Sequence, residues 1–284
     1  MAHPAAQTKP DAPFFVRFWG VRGSIACPGS DYVRYGGNTS CLEMRCGGHM
    51  LIFDGGTGLR EFGEMLMKEA PIDADMFFTH THLDHINGVP FFRPLFDKQN
   101  RFTISAGHLD ETIGLRAVLG QLMEAPIFPV PLEVFGSDMT FCDFEVGDTL
   151  TPRPGLTVRT AQLNHPNEAT GYRVMHGGKS ICYVTDTEHR KDGPDQNILS
   201  LIEGADIFIY DATYTDDEYP NYAGWGHSTW QEGMRLAEAA GVKTYVIFHH
   251  DPGHDDAFMD KVAKAAKRAR PGTVVAREGM VLIP

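Results

Sequence analysis

The densest concentration of reactive side chains lies in the segment DMFFTHTHLDHINGV, where His80, His82, Asp84 and His85 fall within six residues. Neutral imidazole and carboxylate are favoured protein ligands for zinc, and several at one strand end converge without long loop excursions. The apolar run at 76–79 predicts a buried strand that empties into this turn. Packing so many polar atoms in a core without partners would be costly, so a metal site is the economical reading. Further donors stand in similar settings: His165 after the run at 156–163, Asp186 after ICYVT, and His249 after YVIF. Taken singly, each could cap a turn or face solvent. Taken together they supply enough donors for two divalent ions, zinc first and manganese or iron as alternatives.

Those donors need a frame. Short apolar runs bounded by glycine or aspartate predict strands at 14–19, 41–45, 50–53, 76–79, 102–105, 180–185, 207–210, 244–248 and 273–276. Helical periodicity marks 58–69, 109–124, 229–240 and 256–270. Strands cluster toward both ends with helices between them, and no internal repeat or low-complexity tract marks a linker. One α/β domain over 14–284 is the expectation, with 1–13 as a flexible leader that lacks the apolar stretch of a secretory signal. Residues 107–154 carry Pro126, Pro129, Pro131, Pro152 and Pro154, and predict either a lid over the site or a packing insertion.

Composition narrows the partners. The 284-residue chain has 25 Lys plus Arg against 37 Asp plus Glu, a net charge of −12, so its average surface repels phosphate backbones. Bound cations would reverse that field locally. The five cysteines, Cys27, Cys41, Cys46, Cys142 and Cys182, are scattered with no CxxC pair, which points away from a disulfide scaffold and toward the cytoplasm. No apolar run approaches the roughly 20 residues that span a bilayer, so no membrane partner is expected. The glycine-rich stretches GVRGS and YGGNTS fit strand-connecting turns, with Asn38 the residue there most worth testing for a ligand role. The tail KVAKAAKRAR reads as an amphipathic helix with a solvated basic face.

The order HxHxDH, His, Asp, His resembles the metallo-β-lactamase superfamily, and IFDGGTG, with Asp54, adds to the likeness across nearly the whole chain. The resemblance implies a four-layer αββα sandwich with metals at one edge of two sheets. It further implies that one ion takes His80, His82 and His165, the other Asp84, His85 and His249, with Asp186 bridging and a hydroxide between the ions as nucleophile. His249 aligns with the last ligand and His250 is the alternative. The segment from Tyr210 to His250 looks like the ribonuclease Z and phosphodiesterase branch, through the motif His227-Ser228-Thr229. By that likeness His227 is the general acid, Asp211 stands where a carboxylate partner would orient it, and Asp84 joins them in the catalytic set. The branch often has Glu at the place of Asp211, and the shorter side chain puts that pairing in question. Ser228 or Thr229 fits a helix N-cap.

The function expected is a binuclear metal-dependent phosphodiesterase acting on a small or cyclic phosphodiester. Structured RNA is disfavoured, because residues 107–148 hold Arg116 as their single positive charge where tRNA-trimming members carry a basic arm. The alternatives are a lactonase, thioesterase or organophosphate hydrolase on the same scaffold, a tRNA 3'-processing endoribonuclease, or a di-iron redox module. A homodimer is what the resemblance suggests.

Overall fold

The computed structural model describes residues 14–109 and 112–284; the leader expected over 1–13 lies outside them. In chain order the first half runs β1 (Phe14–Gly20), β2 (Cys41–Cys46), β3 (His49–Phe53), α1 (Gly58–Leu66), β4 (Asp73–Phe78), α2 (Leu83–Ile86), β5 (Arg101–Ala106), α3 (Leu115–Leu122) and β6 (Asp138–Phe141). The second half runs β7 (Thr149–Leu150), β8 (Leu156–Leu163), β9 (Ala169–His176), β10 (Lys179–Val184), α4 (Gln196–Ile202), β11 (Ile207–Asp211), α5 (Trp230–Ala239), β12 (Thr244–Phe248), α6 (Asp256–Ala269), β13 (Val274–Val275) and β14 (Val281–Leu282).

Among the described residues the strands form two seven-stranded sheets, ordered β14-β1-β2-β3-β4-β5-β6 and β13-β12-β11-β10-β9-β8-β7. In each sheet three antiparallel pairings give way to three parallel ones. Parallel strands must be covered on both faces, and three apolar layers do this. Phe18, Leu51, Phe53, Tyr172, Tyr183 and Phe248 fill the space between the sheets. Leu59 and Phe62 of α1 and Leu115 and Leu119 of α3 cover the outside of the first sheet. Ile198 and Leu201 of α4, Leu236 of α5 and Met259 of α6 cover the second. The result is the four-layer αββα sandwich expected.

Several elements were not anticipated, β9 and α4 among them. β9 reads ATGYRVMH, whose threonine, glycine and arginine break the apolar run; a Cβ on Gly171 would lie 3.0 Å from Leu163 Cδ2 and 3.2 Å from Leu201 Cδ2, so the glycine makes room for side chains of β8 and α4. α4 is short, and its start is fixed by Asp195, which accepts hydrogen bonds from the amides of Asn197 and Ile198. Residues 107–154 divide between both sheets, giving an edge strand to each, while Leu115, Leu119, Met123, Leu132 and Phe135 are buried in the outer core. α3 begins at Leu115 rather than 109. No helix of the described residues is long and apolar enough to cross a membrane.

Candidate metal centre

Parallel strands deliver the site. β3 ends before Asp54, β4 before His80, β10 before Asp186, and β12 before His249, while β11 ends on Asp211. Ligands in open α/β sheets gather at the carboxyl ends of strands, where the chain turns out of the sheet. Asp54, Asp186 and His249 make that turn in left-handed backbone conformation, with φ of 59°, 53° and 62°. Such conformations cost free energy for residues other than glycine and cluster at functional sites.

The donors fall into two groups whose ligand atoms lie within 4.8 Å of one another: His80, His82 and His165 in one, Asp84, His85, Asp186 and His249 in the other. Asp186 stands between them. Its Oδ2 is 3.6 Å from His80 Nε2 and 3.8 Å from His165 Nε2, and its Oδ1 is 3.1 Å from both His85 Nε2 and His249 Nε2. Asp84 Oδ2 lies 3.3 Å from His85 Nε2 and 3.5 Å from His249 Nε2, and accepts a hydrogen bond from the Ser24 amide. All seven expected ligands are thus brought together. His250 is not: its Nε2 donates to Ala276 O at 2.9 Å, its ring is turned away from the cluster, and burial pushes it down to about 3. His249 is the residue that faces the centre.

The opposite nitrogen of each ring is tied. His85 Nδ1 donates to Asp54 Oδ2 at 3.0 Å, and His80 Nδ1 lies 3.1 Å from the Thr79 hydroxyl, which itself donates to Asp54. His249 Nδ1 lies 3.0 Å from the Thr213 hydroxyl, which donates to Asp211, and His165 Nδ1 donates to Gly226 O at 2.8 Å. These contacts turn the Nε2 atoms of four rings inward, whereas His82 offers Nδ1, 3.0 Å from His165 Nε2. Buried polar atoms are nearly always hydrogen-bonded, yet Nε2 of His80, His85 and His249 have no such partner. Orphaned nitrogens aimed at shared carboxylates, on a set of imidazoles and carboxylates, are what a divalent cation requires. The residues fit the ions that the fold implies.

Electrostatics divide the imidazoles. Burial drives His80, His82 and His165 below the ordinary imidazole range, toward the neutral ligand form. Burial also opposes charge on His85, but Asp186, Asp84 and Asp54 outweigh it and raise it. Burial would push the Asp186 carboxyl up, but His249, His85 and His80 hold it well below the usual range.

His227, whose Nδ1 is 3.9 Å from Asp186 Oδ2, sits 2.9 Å from Asp211 Oδ2 through the same nitrogen, so the shorter aspartate does reach. Its ring stacks on that of His249 at 5.0 Å. Burial lowers its proton affinity, but Asp211 more than compensates and raises the group to about 9. Asp211 also accepts from the amides of Thr187 and Thr213. Thr229, rather than Ser228, caps α5, accepting from the Glu232 amide. Asn38 is a backbone partner instead of a ligand group: its carbonyl accepts from Val21 and Arg22, and its amide donates to Glu278.

Several supporting residues escaped sequence reasoning. Thr79, Thr213 and Tyr183, whose hydroxyl donates to Asp54 at 2.8 Å, are ordinary strand-end residues by type. Arg22 is fully buried and donates to the carbonyls of Gly36, Asp251 and His254, fixing the loops behind His249. A buried arginine in GVRGS has no local signal. The positive φ of Asp54, Asp186 and His249 could have been sought at the strand ends, where aspartate tolerates it better than most residues.

With this geometry in view, comparison with known proteins places the molecule. A model of the beta-lactamase superfamily domain matches residues 49–250, and the chain belongs to that superfamily, with the fold of its metal-dependent hydrolases. It is 24% identical to a ribonuclease Z of Haloarcula marismortui over 86% of this chain and 90% of that protein. Among solved structures it is similar to the metallo-beta-lactamase fold protein YhfI from Bacillus subtilis, with a TM-score of 0.72 and 20% identity over 95% and 99% of the two chains. It also resembles a diphosphatase from the PhnP family, with a TM-score of 0.68 and 19% identity over 95% of this chain and 98% of the other.

Proposed function

We propose that this chain is a binuclear metal-dependent phosphodiesterase acting on a small or cyclic phosphodiester. His80, His82 and His165 would hold one divalent ion and Asp84, His85 and His249 the other, with Asp186 shared; zinc suits these donors, as do manganese and iron. Such ions, when bound, supply Lewis acidity toward phosphoryl oxygens and water acidified to near neutrality.

The observation that carries the reading is the His227 to Asp211 pair. Asp211 accepts from Nδ1 of His227, which leaves the other ring nitrogen, Nε2, free to hold a proton. A protonated imidazole beside the centre can give that proton to a departing alkoxide, the step a phosphodiester needs and a lactone or thioester needs far less. Asp211 keeps the ring oriented and charged, and Asp84, fixed by the Ser24 amide, keeps His85 and His249 in register.

The surroundings favour a small substrate. The loops at 23–38, 79–88, 164–168, 186–190, 213–226 and 249–255 contain two basic residues, Arg34 and Arg190. Both are engaged, Arg34 with Asp256 and Asp260 and Arg190 with Asp195. Arg116, the single cation of 107–148, is paired with Glu133. A polynucleotide would meet an acidic rim with few cations to release counterions from it. The ribonuclease Z relatives support phosphodiester chemistry, while this charge pattern argues against structured RNA. The test is hydrolysis of bis(p-nitrophenyl) phosphate and of cyclic nucleotides by metal-replete protein, beside lactone and thioester substrates. Turnover of a lactone or thioester with none of any phosphodiester would reject the reading.

A further inference from the structure

Glu188 is not a candidate ligand, and nothing in the proposed chemistry uses it. Its carboxylate nevertheless accepts four hydrogen bonds from one surface segment: from the Tyr219 hydroxyl at 2.6 Å, from the Gly224 amide at 2.8 and 3.0 Å, and from the Gly226 amide at 3.0 Å. The segment it grips ends in the candidate centre: Gly226 O is the acceptor for His165 Nδ1, and His227 is the next residue.

On its other side Glu188 is equally tied. Its own amide donates to Asn164 O, its carbonyl accepts from Asn164 Nδ2, and the preceding Thr187 amide donates to Asp211. Residues 186–188 therefore touch three things in succession: Asp186 the cluster, Thr187 the carboxylate that orients His227, and Glu188 the turn that carries His227. Gly224 and Gly226 adopt φ of 92° and 83°, and a Cβ on Gly226 would lie 2.4 Å from Pro166 Cδ and 2.5 Å from His165 Nδ1. The turn is held against His165 with no room for a side chain, and Glu188 supplies its side-chain acceptor.

We infer that Glu188 is a positioning residue, a latch that fixes the 219–226 turn so that His165 and His227 are set together, one for a cation and the other for the leaving group. The kinetic part of this inference rests on the phosphodiesterase reading; the structural part does not. A carboxylate suits the place because all of its partners are donors. A glutamine there would turn its own N–H groups toward at least one of them, leaving unpaired donors face to face.

Two measurements on the full-length, metal-replete chain test it. In hydrogen exchange, Glu188→Ala and Glu188→Gln should speed exchange of the Gly224 and Gly226 amides about tenfold or more, with β10 and β11 unchanged. Tyr219→Phe, which removes one donor and keeps the ring, should give a smaller rise. Unchanged exchange at both glycines overturns the latch. In kinetics, Glu188→Ala should lower kcat more for an alkyl than for a p-nitrophenyl leaving group, with little change in KM, because nitrophenolate departs without a proton. In the His227→Ala background the same change should cost little further. Equal losses on both leaving groups, or losses that multiply in the double variant, overturn action through His227. Should the wild-type chain cleave no phosphodiester, the phosphodiesterase reading fails, and exchange at Gly224 and Gly226 still decides the latch.

Discussion

Asp54 and Asp211 do the same work on opposite sides of the cluster. Asp54 binds His85 directly and His80 through the Thr79 hydroxyl, and Asp211 binds His227 directly and His249 through the Thr213 hydroxyl. Both carboxylates are fully buried, and each belongs to a different sheet. Asp54 follows β3, where its sheet turns from antiparallel to parallel pairing, and Asp211 ends β11, one strand inside the parallel half of the other sheet.

Asp211→Asn should keep the shape and remove the charge that holds a proton on His227. We expect kcat to fall by about 100-fold, in line with the loss of a general acid, with KM within a factor of about two. Steady-state kinetics on an alkyl phosphodiester checks this, and unchanged kcat would remove Asp211 from the proposed machinery.

Asp54→Asn should act on ion binding more than on rate. It weakens the hold on both His85 and His80, and loss of such a supporting carboxylate commonly costs about 10–100-fold in metal affinity. Competition with a chelator reads the change; equal affinity in variant and parent would contradict it.

Gly23→Ala tests the fit behind His249. The added Cβ would lie 2.4 Å from His249 Cε1 and 2.5 Å from Nδ1, inside any tolerable contact. The ring must shift, so elemental analysis should show one of the two ions depleted while circular dichroism stays native. Full occupancy would mean that His249 has freedom the packing does not suggest.

Both donor groups draw on both sheets: His80, His82, Asp84 and His85 follow β4, while His165, Asp186 and His249 follow β8, β10 and β12. Ions that bind only the folded chain stabilise it by mass action. Chelation should therefore lower Tm by several degrees and restored metal should recover it. A Tm indifferent to chelator, in protein shown to have carried metal, would be the contrary outcome.

Glu278 gives a pH signature outside the candidate ligand set. Burial pushes its carboxyl up to about 7 from an ordinary 4.5. The folded chain thus binds more protons than the unfolded one between these values. The stabilisation is complete below 4.5 and fades as pH rises through 7, by about 2 kcal/mol once partial exposure is allowed for. Denaturant titrations should show a shallower pH slope in Glu278→Gln; identical slopes would show that the group is not perturbed.

What could be read from the sequence was what is contiguous. His80 to His85 sit on one turn, and each remaining donor follows a recognisable apolar strand, so residue type and spacing were enough to nominate them. The frame was legible where strands are uniformly apolar, as at 244–248, and hidden where tertiary packing overrides composition, as at Gly171 in β9. The hydroxyls of Thr79, Thr213 and Tyr183, the buried guanidinium of Arg22 and the carboxylate of Glu188 were invisible for another reason. Their partners, apart from near neighbours, lie tens to hundreds of positions away, and no local pattern records such a pairing.

The division of donors between the halves of the chain bears on how the molecule is made. Those contributed by the first sheet are complete by residue 85, and those from the second begin at residue 165. During translation a tight knot of imidazoles and carboxylates emerges long before anything that can complete its coordination. A fragment that stops short of Asp186 would be an unsaturated chelator, open to whatever cation passes, rather than a weakened form of the finished protein. Metallation by these donors would thus be an event of late folding, timed by the arrival of the second sheet.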